Sequence, residues 1–313
     1  MRVAILGATS QIAKDLVRSF AANSKHELVL YARRPEVVKQ WLARVDLPEH
    51  YPVHDFDVFN TNDHFDAILN FVGVGNPAQA AAMGAAIFDV TLQYDELALG
   101  YVRKHPTCRY IFLSSGAAYG SSFEAPVDAN SKAMIAINNL QPQDWYAAAK
   151  LHAECRHRSL APLPIVDIRV FNYFSHTQDM EASFLITDIV RAIRDKTVLK
   201  TAADYIVRDF VHPSDFFELV NAILATSPTN VAVDCCSNSP IDKVTLLALM
   251  QERFGLHYEI VESSAIVDSG PLKTYYYSTN KCDASFDYKP AYSSMAGLLI
   301  ELAKVTELES FNK

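Results

Sequence analysis

Short apolar runs alternate with amphipathic stretches through the first half of the chain. The amphipathic stretches have helical spacing, and several of them are rich in alanine. Strands and helices in alternation are typical of a parallel sheet covered by helices on both faces, so we predict a doubly wound α/β fold. The runs predicted to be strands are 2–6, 27–31, 52–58, 67–74, 110–115 and 164–171.

The pattern becomes less regular after residue 171, which predicts a second and smaller unit. We expect residues 1–173 to form the main domain and residues 206–229 to return to it. Residues 174–313 would form mainly a substrate-binding lobe above the carboxyl ends of the strands, where ligands of open α/β sheets bind.

The overall charge narrows the classes of partner. The chain has 313 residues and a net charge of -8, and no basic tract stands out, so neither nucleic acid nor an anionic membrane is an expected partner. No apolar stretch approaches the roughly 20 residues that span a bilayer, and we expect a cytoplasmic protein. The five cysteines form no C-x-x-C pair and the histidines form no zinc motif, so we predict no metal site.

The segment ILGATSQIAKDL lies between the first predicted strand and the first predicted helix. In a dinucleotide-binding turn, a glycine makes the tight bend and backbone N–H groups at the helix start receive the pyrophosphate. Gly7 suits the bend, whereas Ser10 replaces the glycine of closest approach, and an ordinary strand-to-helix turn remains the alternative. The residues predicted to hold the cofactor here are Gly7, Thr9, Ser10, Gln11 and Ile12.

The second predicted strand ends in LYARR. An acidic residue near this point normally binds the ribose 2′-hydroxyl of NAD, while an arginine accommodates the 2′-phosphate of NADP. Arg33 and Arg34 stand here and no acidic residue does, so we predict NADP, with NAD less favoured. The alternative is a pair of solvated arginines.

Tyr146 and Lys150 lie four residues apart in DWYAAAKLHAE, with only alanine between them. The segment is predicted to be a helix that follows Pro142 and is capped by Asp144, which places both side chains on one face. A nearby ammonium lowers the pKa of a phenol, and a phenol with a lowered pKa can act as an acid or base. Because the spacing is also common in surface helices, the pair alone does not establish a site.

Four segments in this order resemble one family: GATSQIA at 7–13, FLSSGAAYG at 112–120, YAAAK at 146–150 and RDFVH at 208–212. The chain resembles the extended short-chain dehydrogenases/reductases, the branch of nucleotide-sugar epimerases, dehydratases and ketoreductases. The resemblance covers nearly the whole chain and implies a Rossmann-like sheet, a nucleotide-sugar substrate and a homodimer.

The resemblance also implies roles for individual residues. Tyr146 would be the catalytic acid/base, Lys150 would lower its pKa and bind the nicotinamide ribose, and Ser115 would orient the substrate oxygen. Asp55 and Phe56 would contact adenine, and the segment from Phe71 through Val72 and Gly73 to Val74 would pass the middle of the cofactor. Asn172 and Arg208 would bind the substrate diphosphate.

One departure from the family pattern narrows the expected reaction. The family's 4,6-dehydratases carry an acidic pair directly after the serine, whereas Gly116 and Ala117 stand here, so dehydration is not expected. Together with Ser10 and the two arginines, this favours an NADPH-dependent 4-keto-sugar reductase. The alternatives are a 4-epimerase with tightly bound NAD(P), a non-catalytic dinucleotide sensor, and a reductase of a small carbonyl compound.

Overall fold

The computed structural model describes residues 1–45, 47, 51–59, 62–74, 80, 82–262, 273–280 and 286–311. Its centre is a seven-stranded sheet in which every neighbouring pair is parallel. The predicted doubly wound α/β class is therefore confirmed. In the spatial order of the sheet, the strands are β11 (Val231–Cys235), β6 (Ile165–Val170), β5 (Arg109–Ser115), β4 (Ala67–Asn70), β1 (Arg2–Leu6), β2 (Glu27–Tyr31) and β3 (Val53–His54).

Helices cover both faces of this sheet. The helices are α1 (Gln11–Asn23), α2 (Pro35–Arg44), α3 (Ala86–Lys104), α4 (Pro142–Ser159), α5 (Leu185–Asp195), α6 (Pro213–Ala225), α7 (Lys243–Phe254) and α8 (Ser294–Phe311). On one face, α1 packs beside α6 over a core of branched aliphatic and aromatic side chains. On the other face, α3 packs beside α4 over a second core that includes Tyr110 and Phe112. None of the helices in the described part of the chain is long and apolar enough to cross a membrane.

A separate apolar core lies between α5, α7 and α8. Short strands surround it: β7 (Asn172–Tyr173) pairs with β10 (Phe210–Val211), and β8 (Val198–Ala202) pairs with β13 (His257–Val261). A third group joins β9 (Val207–Arg208) to β12 (Ile241–Asp242) and β14 (Tyr275–Tyr276). The division into a dinucleotide domain and a substrate lobe remains a prediction, but α6 and β11 both join the layers of the large sheet.

Two predicted strands were too long, and polar side chains explain where they end. The strand predicted at 52–58 stops at His54, because Asp55 accepts a hydrogen bond from the Asp57 N–H at 3.3 Å and begins a 3-10 turn over Phe56–Val58. The strand predicted at 67–74 stops at Asn70, whose Oδ1 accepts from the Val72 N–H at 2.9 Å. The seventh strand, Val231–Cys235, was not predicted.

Candidate active site

The turn between β1 and α1 is too tight for a side chain at its first position. Gly7 has φ +81°, and a Cβ there would lie 2.8 Å from the backbone of Phe71 and Val72, so only glycine fits. Ser10 is the N-cap of α1, and its N–H donates to the Gly7 carbonyl at 2.9 Å. The first turn of α1 carries no acidic residue, so the N–H groups at its start remain favourable for an anion.

The Gln11 side chain, by contrast, is engaged within the protein. Its amide donates to both carboxylate oxygens of Asp15 at 3.3 Å and to the Thr177 hydroxyl. Asp15 also accepts from the Tyr173 hydroxyl at 2.9 Å and from Thr177 at 2.6 Å. Only the Gln11 backbone therefore remains for the predicted cofactor contact, and this network connects the start of α1 to the segment that follows β6.

The end of β2 presents positive charge to the surface. Tyr31 and Ala32 are buried, whereas Arg33 and Arg34 are exposed at the start of α2. Asp55 and Phe56, after the neighbouring strand β3, are partly buried. The two arginines and the predicted adenine contacts thus follow adjacent strands.

The segment after β4 passes directly beside the helix that carries Lys150. Phe71 is buried in the core, where its ring lies 6.2 Å from that of Phe216, so it can approach a cofactor only through its backbone. Val72 is partly exposed. At Gly73, which has φ +155°, an added Cβ would lie 3.6 Å from Lys150 Nζ.

Ser115, Tyr146 and Lys150 come together at the carboxyl end of β5. Ser115 Oγ accepts from the Ala117 N–H at 3.2 Å, and the Ser115 hydroxyl lies near enough to Tyr146 to act on its pKa. Lys150 Nζ donates to the Leu113 carbonyl at 2.6 Å and lies 5.8 Å from the centre of the Tyr146 ring. The three residues predicted to be catalytic therefore share one site.

The helix that carries two of these residues begins differently from the prediction. Pro142 is its first residue and Gln141 is its N-cap. Asp144 was predicted to be the cap, but it lies in the first turn, where Oδ2 accepts from the Gln141 N–H at 3.0 Å. Gln141 and Asp144 form a capping box. The helix therefore begins at Pro142, two residues before the predicted cap.

Burial dominates the electrostatics of the pair. It raises the pKa of Tyr146, and the hydrogen bond from Ser115 opposes this rise only in part. It lowers the pKa of Lys150 to about 8, against the attraction of the Glu154 carboxylate. The expected lowering of the Tyr146 pKa by Lys150 remains a prediction, because in this form the ammonium is bound to a backbone carbonyl.

Two further side chains reach this site: Tyr276, on β14, and Lys273, two residues before that strand. Sequence reasoning missed both. The Tyr276 hydroxyl lies 3.2 Å from Ser115 Oγ, and Lys273 Nζ lies 4.7 Å from the centre of the Tyr276 ring. No motif marks either residue. The aromatic run TYYYS was the only signal, and its position in the fold could not be read from it.

Arg208, on β9, is paired with Tyr276 on the neighbouring strand β14. Its Nη1 donates to the Val207 carbonyl at 2.8 Å and to the Lys273 carbonyl at 2.7 Å. Burial lowers the pKa of Arg208 to about 10, and burial together with the neighbouring Arg208 lowers that of Lys273 to about 8. Within the described residues, neither cation forms a salt bridge, so the pair favours an added anion. Asn172, predicted to be nearby, donates to the Asp209 carbonyl at 3.3 Å.

A doubly wound parallel sheet with a glycine turn after β1 and this Ser/Tyr/Lys arrangement defines the chain as an extended short-chain dehydrogenase/reductase. A family model agrees over residues 3–234, and the chain belongs to the NAD dependent epimerase/dehydratase family. No curated protein matches the sequence.

Solved structures extend the likeness over the whole chain. The UDP-glucose 4-epimerase from Stenotrophomonas maltophila, with bound NAD and formylated UDP-arabinopyranose, has a TM-score of 0.80 at 16% identity, over 100% of both chains. The UDP-glucuronic acid 4-epimerase from Bacillus cereus, with UDP-glucuronic acid and NAD, has a TM-score of 0.77 at 15% identity, over 98% of this chain and 100% of that one. The dTDP-glucose 4,6-dehydratase from Bacillus anthracis, with NAD, has a TM-score of 0.76 at 17% identity, over 99% and 98%. At these identities the likeness shows the fold.

Proposed function

We propose that this protein is an NADP(H)-dependent oxidoreductase that reduces the 4-keto group of a nucleotide-diphosphate sugar. One observation carries the proposal: Ser115, Tyr146 and Lys150 meet at the carboxyl end of β5, near the partly buried cations Arg208 and Lys273. A dinucleotide-binding protein that does no chemistry has no need of a serine, a tyrosine and a lysine assembled in this way.

The residues present fit a nicotinamide dinucleotide. The Gly7 turn excludes a side chain where the diphosphate would approach, the start of α1 offers N–H groups, and Gly73 leaves room next to Lys150. When bound, the cofactor supplies the hydride that is added to the carbonyl carbon.

The chain's own residues handle the proton and the oxygen. Ser115 holds the carbonyl oxygen by a hydrogen bond, and Tyr146 donates its proton to the same oxygen as charge develops there. Lys150 keeps a positive charge on the same helical face as Tyr146, and this charge stabilises the phenolate that remains. The product is an alcohol, and Tyr146 then regains a proton from solvent.

Arg208 and Lys273 support a nucleotide-diphosphate sugar as the substrate. A diphosphate bridge carries two negative charges. Within the described part of the chain neither Arg208 nor Lys273 forms a salt bridge, although the Asp144 carboxylate attracts Lys273. A guanidinium binds phosphate oxygens through two parallel hydrogen bonds, and an ammonium adds a point charge. A small uncharged carbonyl compound would leave both of these partly buried cations without an added anion.

The space after Ser115 argues against dehydration. A Cβ on Gly116 would lie 2.4 Å from the Phe171 ring, so a side chain at this position would have to displace that ring. Elimination of water needs an acid that protonates the leaving hydroxyl, and neither Gly116 nor Ala117 provides one. The chemistry supported is therefore hydride transfer without elimination.

Arg33 and Arg34 support NADP(H) over the NAD that the similar solved structures contain. Both are exposed at the end of β2, and the two residues before them, Tyr31 and Ala32, offer no carboxylate for a 2′-hydroxyl. Replacing both arginines with alanine should raise the Kd of NADPH at least about tenfold more than that of NADH, because each charge-assisted hydrogen bond is worth about 1.5–3 kcal/mol. Titration of cofactor fluorescence measures both constants. Equal losses for the two cofactors would show that the arginines do not bind the 2′-phosphate.

The second candidate function is a nucleotide-sugar 4-epimerase. Similar solved structures are 4-epimerases with NAD and a UDP-sugar, and the same three residues would serve that reaction. An epimerase returns the hydride to the opposite face of the sugar and keeps its cofactor, whereas a reductase releases oxidised cofactor after each turnover. A homodimer and a cytoplasmic location remain predictions.

A further inference from the structure

Tyr276 places a third hydroxyl at the catalytic serine. It lies on β14, 161 residues away from Ser115 along the chain, and the two hydroxyl oxygens are 3.2 Å apart. Its ring is 9% exposed and is fixed by Phe123 and Phe171, whose ring centres lie 4.7 and 5.2 Å from its own. The position of this hydroxyl is therefore set by packing.

The hydrogen-bond capacity of Ser115 limits what its three neighbours can do. A serine hydroxyl has one proton to donate and two lone pairs to accept with. The Ala117 N–H occupies one lone pair at 3.2 Å. Tyr276 forms a hydrogen bond with the same oxygen at 3.2 Å, and either of these two hydroxyl groups can be its donor.

We propose that Tyr276 is a positioning residue that donates its hydroxyl proton to Ser115 Oγ and so leaves the Ser115 proton for the substrate oxygen. This assignment rests on the proposed function, in which the Ser115 proton is needed at the carbonyl oxygen. With Ala117 and Tyr276 filling both lone pairs, Ser115 cannot accept a proton from Tyr146. The Tyr146 proton is then left for the substrate.

The surroundings of Tyr276 keep it protonated and point its proton toward the serine. Burial raises its pKa, the nearby Tyr146 raises it further, and the hydrogen bond with Ser115, the Arg208 charge and the Ala117 N–H oppose the rise. Lys273, over the face of its ring, is the other charged group nearby. Within the described residues, Ser115 Oγ is the hydrogen-bond partner of the Tyr276 hydroxyl, at 3.2 Å, so this oxygen is the acceptor available to the Tyr276 proton.

Neutron diffraction on deuterium-exchanged crystals of the whole chain tests the assignment without a substrate. We expect the Tyr276 deuteron on the line to Ser115 Oγ, and the Ser115 deuteron directed away from Tyr276. A Ser115 deuteron pointing at the Tyr276 oxygen would overturn the assignment. This result does not depend on turnover, so a protein inactive with every nucleotide sugar would refute the proposed function and leave this test intact.

Kinetics test whether the donated proton matters. Tyr276→Phe keeps the ring and its packing, and should lower kcat about three- to tenfold with the substrate KM unchanged, the size of one hydrogen bond. Tyr275→Phe, the same change on the neighbouring residue of β14, should leave kcat unchanged. In a Ser115→Ala background, Tyr276→Phe should cost nothing further, because its partner is gone. Equal losses in both backgrounds would show a merely structural role.

Discussion

Replacing Lys150 with methionine should stabilise the folded protein near neutral pH while abolishing turnover. Lys150 is 5% exposed, and its burial lowers its pKa from 10.5 to about 8. A shift of this size means that the folded protein destabilises the charged form of Lys150 by about 3 kcal/mol. Methionine keeps the contact with the Phe112 ring but loses the hydrogen bond to the Leu113 carbonyl, worth about 1 kcal/mol. The net gain expected is about 2 kcal/mol.

The pH dependence of this gain follows from the two pKa values. Between the folded pKa of about 8 and the usual unfolded value, the unfolded chain binds a proton that the folded chain has released, so Lys150 costs less stability as pH rises. The advantage of the methionine variant should therefore fall by about 2 kcal/mol between about pH 6.5 and about pH 9.5.

Urea unfolding of the natural chain and of the methionine variant at the two pH values measures this difference. The other titratable groups are the same in the two proteins, so their contributions cancel when the free energies of unfolding are subtracted. Lys39→Met, on an exposed position of α2, is the matched control and should change stability by less than about 0.5 kcal/mol. A methionine variant that is less stable at the lower pH, or equally favoured at both, would refute the claim that Lys150 is held charged against its burial.

The remaining predictions concern the proton and the diphosphate. Tyr146→Phe should lower turnover at least about a hundredfold while the Kd of the cofactor stays unchanged, and a variant that keeps most of its rate would remove Tyr146 from the mechanism. Arg208→Gln and Lys273→Gln should each raise the Kd for UDP or dTDP about tenfold or more, because each removes a charge-assisted contact. Calorimetry measures these constants, with Lys200→Gln, exposed on β8, as the control. Unchanged constants would place the diphosphate elsewhere.

Local patterns in the sequence were enough to predict most of the sheet, and the family resemblance was enough to select Ser115, Tyr146 and Lys150, which the structure brings together. The strands are continuous apolar runs because both faces of the sheet are buried, and Tyr146 and Lys150 share a face because one helical turn separates them. The fourth strand was overestimated, because FVGV is as apolar as a strand, but Asn70 turns the chain with a side-chain hydrogen bond that a hydrophobic pattern does not reveal.

The contacts from the second half of the chain could not be predicted. Tyr276 reaches Ser115, and Lys273 reaches the same site, only because β14 pairs with β9, a pairing of two residues on each side with no distinctive pattern. The seventh strand, VAVDC, was missed for a related reason. Asp234 interrupts its apolar run, and its carboxylate is buried against the Tyr119 hydroxyl at 3.0 Å rather than exposed. Pairings of this kind depend on tertiary packing.

The most direct test of the central claim is the stoichiometry of cofactor use. The purified protein, mixed with NADPH and a UDP- or dTDP-linked 4-keto-6-deoxysugar, should oxidise one NADPH for each alcohol formed, followed as the loss of near-ultraviolet absorbance. The protein should also purify largely free of cofactor. Protein that instead carries tightly bound oxidised cofactor, and interconverts two sugar epimers with no net change in absorbance, would contradict the reductase and establish the epimerase.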